Sequence, residues 1–141
     1  MDADGLLLAV DPFLPGRLGF SAPRVIALRE VSRVGRGTVR WMRQTGADGG
    51  CTYANENGPP VDFIFFDGDH TYHGLRGDWE AWAPIVAQDG VVAVHDSRSS
   101  ASRQIDDAGS AMFTRDVILR DPRFELIEAL DTLTVLQRRK V

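Results

Sequence analysis

The chain has 141 residues, 43% hydrophobic and 26% charged, with a formal net charge of −4; that is the size of one ordinary domain, and a single domain over 1–141 is expected. Mild acidity excludes a general nucleic-acid binder, and no apolar run approaches the ~20 residues needed to cross a bilayer, so no nucleic-acid or membrane partner is expected. The acidic start Met1-Asp2-Ala3-Asp4 has the wrong layout for a secretory signal, and the single Cys51 permits no internal disulfide, which makes a cytoplasmic location the expectation.

Gly5 to Val10 is an apolar run closed by Asp11-Pro12, predicting a buried strand and an abrupt turn with Asp11 at the strand end. Phe13 to Phe20 is rich in Pro and Gly and reads as loop. Ser21-Ala22-Pro23 has the form of a helix start. A helix from Pro23 to Val34 would set Val25, Leu28 and Ser32 on one side, with Ile26 and Val31 widening the apolar face; Gly35 to Gly37 stops it. Thr38 to Met42 alternates like a strand, and Gln44-Thr45-Gly46-Ala47-Asp48 lies at its carboxyl end. Gly49 to Pro60, polar and glycine-rich, reads as a frayed helix or a loop.

Val61 to Phe66 is a short apolar run that ends in Asp67-Gly68-Asp69-His70. Leu75, Trp79, Trp82 and Val86 then recur at i, i+4, i+7 and i+11, the spacing of a helix with one apolar face, and Pro84 kinks or ends that helix. Gly90 to Val94 is a second apolar run, ending in His95-Asp96. The two runs therefore read as neighbouring parallel strands joined by a crossover. Ser97 to Ser110 is polar and reads as mobile, until Ala111, Met112, Val117, Ile118 and Leu119 resume an apolar helix face that Asp121-Pro122 terminates. Phe124 to Leu130 and Leu133 to Gln137, separated by Asp131-Thr132, predict an antiparallel hairpin. The order β-α-β-α-β-α-β-α-β-β specifies an α/β fold with a mostly parallel sheet finished by that hairpin.

The chemistry concentrates at two turns. Asp67, Asp69, His70, His95 and Asp96 bring three carboxylates and two imidazoles to the carboxyl ends of two adjacent strands, the edge at which open α/β sheets bind ligands. Such an oxygen-rich set suits Mg²⁺ or a similar divalent ion, with Asp67 and Asp96 as the natural ligand pair. If strand alternation persists, His95 faces away from Asp96 and is the weaker ligand. The competing structural reading is that Asp67 and Asp69 cap the following helix, worth about 0.5–2 kcal/mol; it accounts for Asp69 but not for the second His-Asp turn. Asp11 has two readings of equal weight, a ribose-binding acid or an ordinary turn residue before proline. Trp41, Trp79 and Trp82 read as core, His73 as a surface residue and Cys51 as inert.

Val61-Asp62-Phe63-Ile64-Phe65-Phe66-Asp67-Gly68-Asp69-His70-Thr71-Tyr72, with Asp78-Trp79, Trp82-Ala83-Pro84, Asp89-Gly90-Val91-Val92 and His95-Asp96, resembles a class I S-adenosylmethionine-dependent methyltransferase of Rossmann-like fold. It looks closest to the metal-dependent O-methyltransferases of natural-product biosynthesis. The resemblance implies that Asp11 matches the acid on the cofactor ribose, that Thr45, Gly46, Ala47 and Asp48 match the loop near adenine, and that Asp67 also belongs to the cofactor site. By the same match Asp67 and Asp96 are Mg²⁺ ligands, His95 stands where relatives often carry a third acidic ligand, and either Asp69 or His70 is the general base. The implied reaction is methyl transfer to a small-molecule hydroxyl.

The same resemblance implies that a first strand, a first helix and the glycine-rich cofactor loop between them are lacking ahead of Gly5. A sheet without that central strand must close up, expose edges or recruit another chain, such as a second copy. Two rival readings stand beside the enzyme: a catalytically inactive methyltransferase-fold fragment or interaction module, and, ranked last because the chain has three histidines, a metal-dependent hydrolase.

Overall fold

The computed structural model describes residues 5–17, 19–33 and 35–140; the readings that fall on Met1 to Asp4 and on Val34 lie outside them. The chain divides into two compact units, one up to Gly49 and one from Gly50 onward.

In the first unit, β1 (Leu6–Val10) pairs in parallel with β2 (Thr38–Met42), Leu6 opposite Thr38 and Val10 opposite Met42. Between them runs α1 (Ala22–Val31), started by Ser21, whose hydroxyl accepts from the N–H of Arg24, with proline in the first turn. This is the helix that Ser21-Ala22-Pro23 predicts, because proline's missing N–H costs nothing where no intrahelical partner exists. Its expected apolar face is not covered: α1 buries none of its side chains, and Val25, Ile26 and Leu28 are exposed. Spacing makes a face, but burial needs a partner surface. Phe13, held at a positive φ of 45°, is buried and packs its ring 5.8 Å from that of Trp41.

The stretch read as frayed helix or loop is largely a helix, α2 (Gly46–Asn55). Thr45 caps it: its hydroxyl donates to Asp48 Oδ2 at 2.7 Å and accepts from the Asp48 N–H at 3.2 Å. A reciprocal cap of this kind offsets the low helix propensity of three glycines in the segment.

The second unit carries a four-stranded sheet in the order β3-β4-β6-β5. β3 (Val61–Phe66) lies parallel to β4 (Val86–Val94), and the hairpin of β5 (Phe124–Leu130) and β6 (Leu133–Arg138) adds antiparallel to β4. The parallel β3–β4 pair and the terminal hairpin are those expected from the sequence. β3 and β4 are joined by α3 (Tyr72–Trp82), which buries Leu75, Asp78, Trp79 and Trp82. Pro84 ends it in a short 3₁₀ turn over Ala83–Ile85, so Val86 belongs to β4 rather than to the helix stripe. The last helix, α4 (Gly109–Asp116), buries Ser110, Ala111, Phe113 and Thr114. Met112, Val117 and Leu119, expected on its apolar face, are exposed; the helix stops at Asp116 and Ile118–Arg120 turns as 3₁₀, so the assumed 3.6-residue period does not hold through Leu119.

Phe113, Ile118, Leu136, Val92 and Val94 form the most deeply buried part of this unit. Each such side chain stabilises by about 1.5–3 kcal/mol relative to exposure. The Trp79 ring packs at a tilt, 4.9 Å from that of Phe124, and its indole N–H donates to Asp121 Oδ2 at 3.3 Å. Ser97 to Ser110, expected to be mobile, is a chain of hydrogen-bonded turns: Ser99 Oγ accepts from Ile105 N at 2.8 Å, and Arg103 O from Ser100 N at 2.9 Å.

Candidate active site

β3 and β4 end side by side, the His95 N–H donating to the Phe66 carbonyl at 3.0 Å. The two acidic turns leave from that point. Strand alternation does not continue through the second of them, because β4 stops at Val94 and Asp96 adopts a positive φ of 47°. The side chains of His95 and Asp96 are engaged by different partners. His95 Nδ1 lies 2.7 Å from Asp67 Oδ1, whereas Asp96 is buried and paired with Arg103 Nη1 at 2.5 Å.

Asp67, His70 and His95 each present a donor atom, and the three atoms lie within 4.8 Å of one another. His70 Nε2 is 3.7 Å from Asp67 Oδ1, and the two imidazole rings meet edge to face at 5.9 Å. Asp67 and His70 are exposed and His95 is half-buried. His95 Nδ1 is buried and makes no hydrogen bond. Its 2.7 Å contact with Asp67 is short enough for one, so the approach is off the nitrogen's hydrogen-bonding direction. The opposite nitrogen, Nε2, is 3.6 Å from Asp96 Oδ1.

Asp96 sits behind this cluster. Burial works to raise its carboxyl pKa, but the His95 charge, a Thr132 hydrogen bond and the Arg103 guanidinium together outweigh burial and hold it below the usual carboxylate value. It is an anion oriented toward the back of His95.

Asp69 has a different task. Its Oδ1 accepts from the Thr71 N–H at 2.9 Å, closing the turn ahead of α3, and Thr71 Oγ1 caps the helix on Gly74 N. The backbone and side-chain hydrogen bonds to Thr71 lower its pKa, which weakens it as a base. Only glycine fits at position 74, because a Cβ there would overlap the Asp69 carboxylate.

Asp11 and the Thr45–Asp48 turn lie in the first unit. The backbone N–H of Asp11 donates to Met42 O at 3.1 Å, and its Oδ1 accepts from Phe13 N at 2.5 Å. Thr45 and Asp48 form the α2 cap, with Gly46 and Ala47 in its first turn. His73, exposed as expected, stands outside the imidazole cluster.

Two residues of the site escaped the sequence reading. Ser110, buried at the start of α4, donates its N–H to the His70 carbonyl at 2.9 Å and its hydroxyl to the Asp96 carbonyl at 2.6 Å, tying one acidic turn to the other. Arg103 neutralises Asp96. Neither carries a local motif; their roles come from the fold of the polar stretch before α4.

The chain has no significant match among curated protein sequences. Its fold is shared with solved structures of low sequence identity. A protein from Corynebacterium glutamicum has a TM-score of 0.62 at 18% identity, covering 96% of this chain and 62% of its own. The MycE methyltransferase of the mycinamycin biosynthetic pathway, crystallised with Mg and SAH, has a TM-score of 0.62 at 12% identity, covering 97% of this chain and 46% of its own. The apo TDP-rhamnose 3'-O-methyltransferase of calicheamicin biosynthesis has a TM-score of 0.58 at 16% identity, with coverages of 92% and 57%. This chain thus spans about half to three fifths of the length of these neighbours. A methyltransferase-domain family profile matches residues 2–97, well over half of the sequence, and the chain belongs to that methyltransferase family.

Proposed function

We propose that this protein transfers a methyl group from S-adenosylmethionine to a hydroxyl oxygen of a small molecule. Family membership over residues 2–97 supports the donor, and the O-methyltransferase among the structural neighbours supports the acceptor atom. The observation that carries the reading is the convergence of Asp67, His70 and His95 where β3 and β4 end, the sheet edge at which α/β folds hold ligands.

On this reading Asp11 and the Thr45–Asp48 turn are cofactor-binding residues. The acceptor oxygen attacks the sulfonium methyl carbon in line, the carbon–sulfur bond breaks with its electron pair going to sulfur, and the hydroxyl proton passes to the His70 imidazole. An imidazole is the side chain best suited to taking up a proton near neutrality, whereas the Asp69 carboxyl is committed to the turn ahead of α3. Alignment of oxygen and methyl group supplies most of the acceleration. Mg²⁺ does not fit the donor set: it takes nearly all-oxygen ligands, and the converging atoms are one carboxylate oxygen and two ring nitrogens, with Asp96 engaged by Arg103. A cytoplasmic setting without a nucleic-acid partner belongs to the same reading, supported by the single Cys51 and the net charge of −4. No helix among the described residues is long and apolar enough to cross a membrane.

Titration calorimetry with S-adenosylhomocysteine tests the proposal. Saturable binding of one molecule per chain is expected, weakened in Asp11→Ala. Undetectable binding at millimolar ligand overturns it.

A further inference from the structure

We propose that Asp67, His70 and His95 form a binding site for a borderline transition-metal ion of the Zn²⁺ class, with Asp96 as the group that orients His95 rather than as a ligand. The proposal rests on the preceding reading only for the location of the site.

Three observations carry it. The first is the donor set. One carboxylate oxygen and two imidazole nitrogens within 4.8 Å of one another match the three-ligand sites that hold Zn²⁺ with a coordination position left open. Imidazole-rich sets favour such ions over Mg²⁺.

The second is the state of His95 Nδ1, a buried nitrogen with no hydrogen bond although Asp67 Oδ1 is 2.7 Å away. Two donor atoms bound tetrahedrally to one ion at about 2.0–2.1 Å sit roughly 3.3 Å apart with both lone pairs turned toward the ion rather than toward each other. The two observed separations from Asp67 Oδ1, 2.7 Å to His95 Nδ1 and 3.7 Å to His70 Nε2, lie on either side of that spacing, and the shorter pair has no hydrogen bond between its members.

The third is the group behind His95. Its other nitrogen faces Asp96 at 3.6 Å, and Asp96 is itself held by Arg103. A carboxylate on the far nitrogen is the usual outer partner of a metal-bound histidine, fixing the ring and its tautomer and raising its basicity. The arrangement explains why an acid next to the site is not in it.

One lone pair cannot serve an ion and a proton together, so loading the site removes His70 as proton acceptor. Zn²⁺ is accordingly expected to inhibit methyl transfer.

The test uses the untagged full chain and the ions alone, without cofactor. Zn²⁺ is titrated against a chromophoric chelator and Mg²⁺ is titrated separately. One Zn²⁺ per chain is expected. Asp67→Ala and His70→Ala should weaken Zn²⁺ by about 100-fold or more, as loss of one of three ligands requires, and Asp96→Asn by about 10- to 100-fold with the stoichiometry kept. His73→Ala should change nothing. In the unmutated protein, imidazole ¹⁵N shifts should report coordination through Nδ1 of His95 and Nε2 of His70, which keeps the question answerable if a variant fails to fold. Zn²⁺ affinity within twofold of wild type in His70→Ala, or unmoved imidazole shifts at saturating Zn²⁺, overturns the site. Cofactor binding is measured separately, so either proposal can fail without the other.

Discussion

The Ser110 hydroxyl donates to the Asp96 carbonyl at 2.6 Å while the Ser110 N–H donates to the His70 carbonyl at 2.9 Å. One buried residue of α4 thereby spans the two turns that form the site. Ser110→Ala keeps the N–H contact and leaves the Asp96 carbonyl without this donor. A loss of about 1–3 kcal/mol is expected for a buried group left unsatisfied, measured by urea denaturation. The same variant should weaken ion binding at Asp67, His70 and His95, because their relative placement depends on that tie. Unchanged stability and affinity would show that the turns hold themselves.

Gly109 precedes it, and a Cβ at that position would overlap the backbone of Thr71 and Tyr72 at the start of α3. Gly→Ala inside a helix ordinarily stabilises by up to about 1 kcal/mol. Here the sign should reverse, with Gly109→Ala costing about 1–3 kcal/mol or more, since the obstruction is backbone and cannot rotate away. A stabilising result would mean that α4 does not approach α3 so closely.

Asp69 separates a turn-closing role from a proton-accepting one. Its Oδ1 accepts from Thr71 N, a bond that asparagine can also make. Asp69→Asn should therefore leave stability within a few tenths of a kcal/mol of wild type, and Asp69→Ala should cost about 1 kcal/mol, as for loss of a capping acceptor. Methyl transfer should survive Asp69→Asn and fall in His70→Gln. The reverse pattern would return the base to Asp69.

Asp121 makes the stability acid-sensitive. Hydrogen bonds from Arg123, opposed by burial and aided by the Trp79 indole, lower its pKa from the usual 3.8. The unfolded chain thus takes up the proton first, so the contribution is complete above about pH 4 and disappears as pH falls through the lower folded value. Discounted for solvent screening at the half-exposed Arg123, it amounts to about 1 kcal/mol. Asp121→Asn should be less stable than wild type by about that much at pH 7 and should approach it near pH 3. A gap that persists at pH 3 would assign the effect to geometry instead of charge.

Much of the architecture was legible in the sequence, because apolar runs bounded by turn residues report strands directly. The parallel β3–β4 pair, the hairpin around Asp131-Thr132 and the tryptophan stripe of α3 are all written in local spacing. Chain order also puts Asp67, His70 and His95 in the turns that follow two apolar runs, and the parallel pairing of those runs brings one donor atom of each within 4.8 Å of the others. What spacing could not decide was which side chain faces which. Strand alternation made His95 the weaker ligand beside Asp96, whereas the fold sets His95 Nδ1 2.7 Å from Asp67 Oδ1 and pairs Asp96, at a positive φ, with an arginine seven positions further on. The uncovered face of α1 has the same origin, since a periodic pattern says where apolar groups point but not whether another surface meets them. Orientation at a turn and coverage of a face depend on residues distant in sequence, such as Ser110 beneath the two turns, and those contacts exist only once the chain has folded.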